Sequence, residues 1–295
     1  MTRTSVVVVA YRSRDHLARG LPTLLDDPSV GDVVVVDNSS DPGTADLVGA
    51  LAGRARYVDP GANLGFARAC NLGAAHTTDP VLTFLNPDVV LGRSLNELVL
   101  TCLAAGPTAV VAGGLTDGRP GAVTGNSRRR VTPLVELGRA ALGARVSTAG
   151  VPPGEGLVSV DQVDGALLVL TRESHTRLGG FDEQFELYYE DVELCARARV
   201  GGRVLLDTRV WGTHAAGASS RTAVSPSYLV FRVSRTRYLR LAFGRSGVLL
   251  GLVCVVVELV SRSVARQPEG RATRLRALRL VVRESRHPGS VRVLS

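Results

Sequence analysis

Asp88 follows the apolar run Val81 to Leu85 and the turn signal Asn86-Pro87, and apolar residues resume at Val89. An ionised carboxylate held between apolar segments costs several kcal/mol unless it is paired or bound to a cation. The C-terminal ends of strands are also where open α/β sheets bind ligands. Asp88 is therefore a candidate for a metal or phosphate site, with a turn-capping aspartate as the plainer reading. His214, in the stretch Trp211-Gly-Thr-His, is a residue type that could complete such a site. A lone histidine is more often structural, so its interest rests on the partners that Asp88 would need. Tyr188-Tyr189-Glu190-Asp191-Val192-Glu193 places three acids within four positions at a helix start. Burial of Glu190 or Asp191 behind the two tyrosines would raise its pKa and suit it to take a proton. Acids favoured at a helix N-terminus explain the same cluster without any chemistry.

Asp37 closes a second apolar run in Val35-Val36-Asp37-Asn38-Ser39. A carboxylate there can accept hydrogen bonds from a ribose or a base N–H, or can simply form an Asx-turn. Asn63-Leu-Gly65-Phe-Ala-Arg68 sets a glycine loop before a helix, whose unpaired N–H groups attract anions. Arg68 is placed to reach a diphosphate, although a surface loop reads the same way. The first strand is followed by Ala10-Tyr11-Arg12-Ser13 rather than G-x-G-x-x-G, which argues against a dinucleotide cofactor.

The elements that must position these residues follow from the hydrophobic pattern. Residues 5–10, 33–36, 57–58 and 81–85 read as strands, and 15–26, 44–53, 66–76 and 94–105 as helices, with Asp15 and Thr44 as expected caps. Their alternation predicts a mostly parallel sheet with right-handed crossovers. After Val110 the pattern changes. Residues 113–128 are Gly-rich and polar, 133–142 form a short helix, and 145–156 are a loop. A strand within 158–170 is interrupted by Asp164-Gly165, and 174–179 is a turn or short helix. A helix over 190–201 and a last strand over 204–207 complete the core. From Ser227 the chain is helical to about Arg266. The uninterrupted apolar span Gly247 to Val257 is shorter than the ~20 residues a bilayer crossing needs, which suggests an in-plane or packed helix. Residues 268–274 read as a breaker, and the last twenty as basic and partly disordered. This divides the chain into 1–112, 113–226 and 227–295.

The chain has 295 residues, 45% hydrophobic and 21% charged, enough for a substantial core. The start lacks the pattern of a signal peptide. Cys70, Cys102, Cys195 and Cys254 are widely spaced, as expected for free thiols in a reducing cytoplasm. Residues 216–295 hold 15 Arg against 3 Glu, net +12, whereas 1–215 hold 20 Arg against 24 acids, net −4, together the +8 of the whole chain. Such a tail should meet an anionic partner. It has few aromatic residues for base stacking, which disfavours nucleic acid and leaves a membrane surface or lipid phosphates.

Taken in order, Asp37, Asn63-Leu-Gly-Phe-Ala, Asn86-Pro-Asp88, Asp164-Gly165-Ala, Gly179-Gly-Phe-Asp-Glu, Glu190-Asp191-Val-Glu-Leu and His214 resemble the family 2 inverting glycosyltransferases, in particular the bacterial rhamnosyltransferase-like branch. The resemblance spans roughly residues 4–245. It implies an α/β fold of the GT-A type, Rossmann-like, a mostly parallel sheet sandwiched by helices, here with a C-terminal helical extension. It also implies a nucleoside diphosphate sugar donor, such as a dTDP- or UDP-sugar, and a divalent cation, Mg2+ or Mn2+. Asp88 matches the last acid of the metal-binding D-x-D motif, whose first acid is replaced here by Asn86, and His214 matches the late metal-binding histidine. Asp37, with Ala10 and Tyr11 beside it, matches the nucleoside site, joined by Asn63, Gly65 and Arg68. Asp164 and Gly165 match positions near the acceptor and donor sugar. Asp191 matches the catalytic base, with Glu190 at the acceptor hydroxyl. Arg128-Arg129-Arg130 lies where the family positions its acceptor, and is either a site for a lipid-linked diphosphate or a solvated loop. The expected activity is transfer of a sugar, such as L-rhamnose, to a glycan or lipid-linked acceptor by an enzyme peripheral to the inner membrane face. The alternatives are an inactive nucleotide-sugar-binding module and a transferase acting on a small-molecule acceptor.

Overall fold

The apolar run at the N-terminus forms β1 (Thr4–Ala10), every residue of which is buried. The computed structural model of the protein describes residues 2–117, 127–143, 146, 156–214, 226–264 and 271–294. β1 pairs in parallel with β2 (Val30–Asp37) on one side and β4 (Val81–Leu85) on the other. β3 (Arg56–Val58) extends the sheet beyond β2. Beyond β4 come β10 (Leu167–Thr171), β6 (Val110–Thr116), β11 (Val204–His214) and β5 (Val89–Leu91), with β8 (Leu157–Ser159) also on β11. Six of these nine strands run one way; β10, β5 and β8 run against them. The mostly parallel sheet expected from the alternation is present.

Alternation along β1 shows why the run is continuous. Val6, Val8 and Ala10 face one apolar layer, which includes Leu17, Leu21 and Leu24 of α1 (Arg14–Leu25) and Leu98 and Cys102 of α4 (Asn96–Ala105). Val7 and Val9 face the other, with Ala67 and Cys70 of α3 (Phe66–Ala75) and Leu194 and Cys195 of α7 (Glu190–Ala198). A strand covered on both faces has no polar side to show. All four cysteines are free and buried.

Several boundaries differ from the expectation. α2 is Pro42–Gly49, and its cap is Asp41, which accepts from Gly43 N and Thr44 N, so Thr44 lies inside the helix. Proline fits the first helical turn because its missing N–H is not needed there. At the start of α1 the cap position is Ser13, so Asp15 lies in the first turn. The Gly-rich stretch expected from residue 113 begins inside β6. A Cβ on Gly113 would lie 2.6 Å from Leu167 Cδ2 and 2.9 Å from Trp211 Cδ1. These glycines permit close packing rather than a loop. β11 runs on to His214 through register shifts between Asp207 and Gly212, longer than the four residues expected. The loop expected at 145–156 falls almost wholly outside the described residues.

α5 (Pro133–Leu142) leads to the C-terminal helices, with a short ladder between β7 (Ser127–Arg128) and β9 (Gln162–Val163) nearby and α6 (Arg172–Leu178) after β10. α8 (Pro226–Val264) turns at Gly244, whose φ of 62° and ψ of −137° are not helical. The helix is long and apolar enough to cross a membrane by length and composition, unlike the shorter span read from sequence. Its two arms lie side by side: a Cβ on Gly251 would meet Thr236 Oγ1 at 2.8 Å, and one on Gly247 would collide with Leu239 O. The basic end expected to be partly disordered forms α9 (Arg271–Arg286), which buries Ala277 and Val281. Arginine is a good helix former, and two buried apolar positions one turn apart give the helix a face to pack.

Candidate active site

The C-terminal ends of β1, β2, β4 and β11 share one rim of the sheet. β10 starts at that rim, because it runs antiparallel to β4 with Leu167 opposite Leu85. The loop from Asp164 to Ala166 therefore faces the loop from Asn86 to Asp88, and Asn86 N donates to Ala166 O at 3.0 Å.

Asp88 and His214 come together as expected, with Asp88 Oδ1 3.1 Å from His214 Nε2. Asn86 Nδ2 lies 3.5 Å from the same nitrogen. Burial opposes the Asp88 charge, but the hydrogen bond and charge of His214 outweigh it and hold the carboxyl below its usual range. His16 on α1 lowers it further, a neighbour that sequence reasoning did not single out. Among the described residues no three His, Cys, Asp or Glu side chains converge as a metal-binding group.

Asp37 is fully buried at the end of β2, opposite Ala10. Its Oδ1 accepts from Ser39 N at 2.9 Å and Ser39 Oγ at 2.6 Å. Its Oδ2 accepts from Asp41 N at 2.9 Å and from the Tyr57 hydroxyl at 3.1 Å. The Asx-turn is thus built, and the carboxylate is well supplied with donors. Burial and the Asp37 charge push the Tyr57 phenol up to about 12. Ala10 is buried and its carbonyl accepts from Asn38 N, whereas Tyr11 is 48% exposed at the rim. Arg12 beside it adopts φ 53° and donates its N–H to Ser39 Oγ.

Gly65 has φ 81°, and a Cβ there would collide with Glu186 O. Asn63 Oδ1 accepts from Gly65 N, and Asn38 grips the loop from the other side through Gly65 O and Leu64 N. The first N–H of α3, on Phe66, donates to Glu186 O at 2.6 Å, so this amide is already used by the chain. Arg68 turns toward Glu183, 3.6 Å away.

Tyr188 and Tyr189 both take left-handed backbone conformations, φ 65° and 70°, and turn the chain into α7. Strain of this kind persists only where surroundings enforce it. Tyr189 donates its hydroxyl to Glu136 Oε2 at 3.0 Å, and its ring packs on Phe231 and Tyr238. Asp191 Oδ2 accepts from Gly165 N at 2.9 Å and Oδ1 from Val192 N at 2.8 Å. Burial and the charge of Asp164 push Asp191 up to about 6, against the lowering effects of the Gly165 N–H and Arg128. Burial and the Asp191 charge push Glu190 well above the usual carboxylate range, and its Oε2 has no hydrogen-bond partner among the described residues. Buried carboxyls raised by desolvation and by a neighbouring charge are a recurring feature of sites that move protons.

Arg128 forms a two-pronged pair with Asp164, Nε to Oδ1 at 2.5 Å and Nη2 to Oδ2 at 2.9 Å. Arg129 and Arg130 are exposed. The arginine cluster therefore splits, one member turned into the site and two facing outward.

Residues 5–148 match the model of Glycosyl transferase family 2. The chain is 29% identical over 219 residues to N-acetylglucosaminyl-diphospho-decaprenol L-rhamnosyltransferase of Mycobacterium tuberculosis, covering 67% of this chain and 70% of that protein. It is 24% identical over 242 residues to the low-salt glycan biosynthesis hexosyltransferase Agl10 of Haloferax volcanii, covering 80% and 74%. Among solved structures, the mannosyltransferase PcManGT from Pyrobaculum calidifontis, in complex with GDP-Man and Mn2+, aligns with a TM-score of 0.54 and 16% identity over 97% of this chain and 81% of that one. GalNAc-T7 with UDP, GalNAc and Mn2+ aligns with a TM-score of 0.59 and 14% identity over 81% of this chain, which spans about half of that protein, 48%. The sheet order, the rim loops and these matches agree: residues 5–148 form a family 2 glycosyltransferase domain, in a chain with the GT-A fold.

Proposed function

We propose that the protein moves a sugar from a nucleoside diphosphate donor to a hydroxyl of a lipid-linked or glycan acceptor, in one displacement that inverts the anomeric carbon. The observation that carries this reading is Asp191. It is held by the Gly165 and Val192 N–H groups, and burial and the Asp164 charge raise its pKa to about 6. A base poised near neutrality takes a proton most effectively at working pH. Asp191 would take the acceptor proton as the acceptor oxygen attacks. Glu190, whose carboxyl is raised by burial and by the Asp191 charge, would lie at the acceptor hydroxyl and help to position it. Asp164 and Gly165 would flank the two sugars, with Arg128 on the acceptor side.

The Asp88–His214 pair offers one carboxylate oxygen and one imidazole nitrogen. That set suits Mg2+ or Mn2+ completed by donor phosphate oxygens. When bound, the cation neutralises the charge that develops on the leaving diphosphate. Tyr11, Asp37 and the loop Asn63 to Gly65 would receive the nucleoside, and Arg68 would reach toward the diphosphate by leaving Glu183. The M. tuberculosis relative, named for a decaprenyl diphosphate acceptor and L-rhamnose, supports a lipid-linked acceptor and a rhamnosyl donor such as dTDP-rhamnose. Acting on such an acceptor, the enzyme would work at a membrane surface, in our reading its cytoplasmic face.

The test is turnover of a panel of UDP-, GDP- and dTDP-sugars, with and without Mn2+, monitored as nucleotide release on adding a polyprenyl diphosphate acceptor. Metal-dependent release from one donor, with an inverted product, is expected. Donor binding with no transfer to any acceptor would reduce the protein to a nucleotide-sugar-binding module.

A further inference from the structure

We infer that α8 and α9 form a docking surface for an anionic lipid bilayer. The inference builds on the lipid-linked acceptor proposed above, since that acceptor would be presented at a membrane. It rests on other residues than those of the active site.

The first observation is an apolar stripe. Leu249, Val253, Val256 and Val260, spaced four, three and four residues apart, share one side of α8 and are 40% to 63% exposed. An exposed apolar row on a helix marks an interaction surface. The stripe is roughly 16 Å long at ~1.5 Å per residue, about half of the ~30 Å of hydrocarbon in a bilayer.

The second observation is that the opposite side of this arm is committed to the protein. Glu258 accepts from Arg235 Nη1 at 2.6 Å and pairs with Arg232 Nη2 at 2.7 Å, all three side chains being buried. Ser261 Oγ donates to Ala140 O of α5 at 3.3 Å. The arm cannot leave the body to cross a membrane without stripping these charges of their partners. It lies in the plane of a surface.

Charge decides what that surface is. Glu258 and Glu284 are the acids among the described residues of 226–294, and both are buried, Glu284 against Arg237 at 2.8 Å. The exposed charges are arginines: Arg240 and Arg245 flank the turn at Gly244, and Arg276, Arg279, Arg283 and Arg286 recur at helical spacing along α9, which packs on α8. Each basic side chain near an anionic membrane adds attraction, and apolar residues between them enter the headgroup boundary. A second copy of the chain would bring the same positive array against itself. The complementary partner is a negatively charged lipid surface.

The first arm of α8, on which the striped arm packs, adjoins the proposed catalytic segment. Ser234 Oγ donates to Leu187 O at 2.8 Å, Arg237 Nη1 donates to Gln184 O, and Phe231 packs on Tyr188 and Tyr189.

The experiment is cosedimentation of the full chain with vesicles of phosphatidylcholine, alone or mixed with phosphatidylglycerol, without donor or acceptor. The protein should bind the anionic vesicles, bind neutral ones weakly, and be released by salt. Val253→Glu with Val256→Glu should lower partitioning at least tenfold. Arg279→Gln with Arg283→Gln, both at exposed positions, should lower it about fivefold per arginine. The arginine variant decides the matter if the glutamate variant loses its fold by circular dichroism. Absent binding of the native chain to anionic vesicles, or native-like partitioning of the arginine variant, overturns the inference. So does a dimer in solution that the glutamate substitutions dissociate without changing vesicle binding. Asp191→Asn should partition as the native protein does. In the native chain, absent transfer with intact partitioning would strike the proposed activity alone, and transfer without partitioning would strike the docking surface alone.

Discussion

Arg128 holds Asp164 through two parallel hydrogen bonds, at 2.5 and 2.9 Å, and its charge also acts on Asp191. A cation beside a carboxylate favours the ionised form. Arg128→Gln removes that cation, so the Asp191 carboxyl should rise further. If Asp191 is the base, the acidic limb of kcat against pH should move to higher pH, and Arg128→Lys should restore part of the shift. A limb that stays in place would uncouple Arg128 from the base.

Asp191→Asn keeps the shape of the side chain and removes its charge. Transfer should fall by about 10²-fold or more, the scale of general base catalysis, while donor binding stays within about twofold. The same substitution should raise the melting temperature at pH 7. The folded pKa lies above the reference of 3.8, so folding disfavours ionisation, and this group's contribution to stability declines as pH rises from 3.8 to about 6. A lower melting temperature at pH 7 would contradict that sign.

His214→Ala should raise the Mn2+ concentration for half-maximal activity at least tenfold, since even an outer partner of a metal ligand is worth that much. Asp88→Asn should do the same. Because His214 helps to hold the Asp88 carboxyl low, protonating Asp88 should be easier in His214→Ala, and donor binding should weaken at a higher pH than in the native protein. Titration of nucleotide-sugar binding against Mn2+ and pH checks both effects.

Glu258→Ala should destabilise the fold by about 3–5 kcal/mol, because it leaves Arg232 and Arg235 buried without their counter-charge. Urea unfolding measures this. A loss under about 1 kcal/mol would mean that water reaches the two arginines.

The parallel half of the sheet was legible because both of its faces are covered: Val6 to Val9 and Val33 to Val36 have no polar alternation to mislead. β5 was missed because three residues between Asp88 and Gly92 are too few to show a period. β6 was missed because Gly113 and Gly114 read as loop until the Trp211 ring and the β11 backbone are placed against them. Asp88 and His214 lie 126 residues apart and meet only through the pairing of β11 with β5. Their meeting was expected from family resemblance, since spacing alone gives no such contact. Tyr57 on Asp37, Glu136 under Tyr189 and Glu186 on Phe66 left no local signal. Each is one half of a long-range pair whose other half decides its orientation.

The aromatic cluster of Phe185, Tyr189, Phe231 and Tyr238 joins the turn before the proposed base to the first arm of α8. A fragment ending at residue 225 would retain all the motif residues from Asp37 to His214. It would also leave Tyr189 without the wall that holds its left-handed backbone, and the peptide leading into Glu190 would be free to relax. On the proposed mechanism the C-terminal quarter of the chain is thereby a scaffold for the base, and residues 1–225 expressed alone should bind donor better than they transfer it.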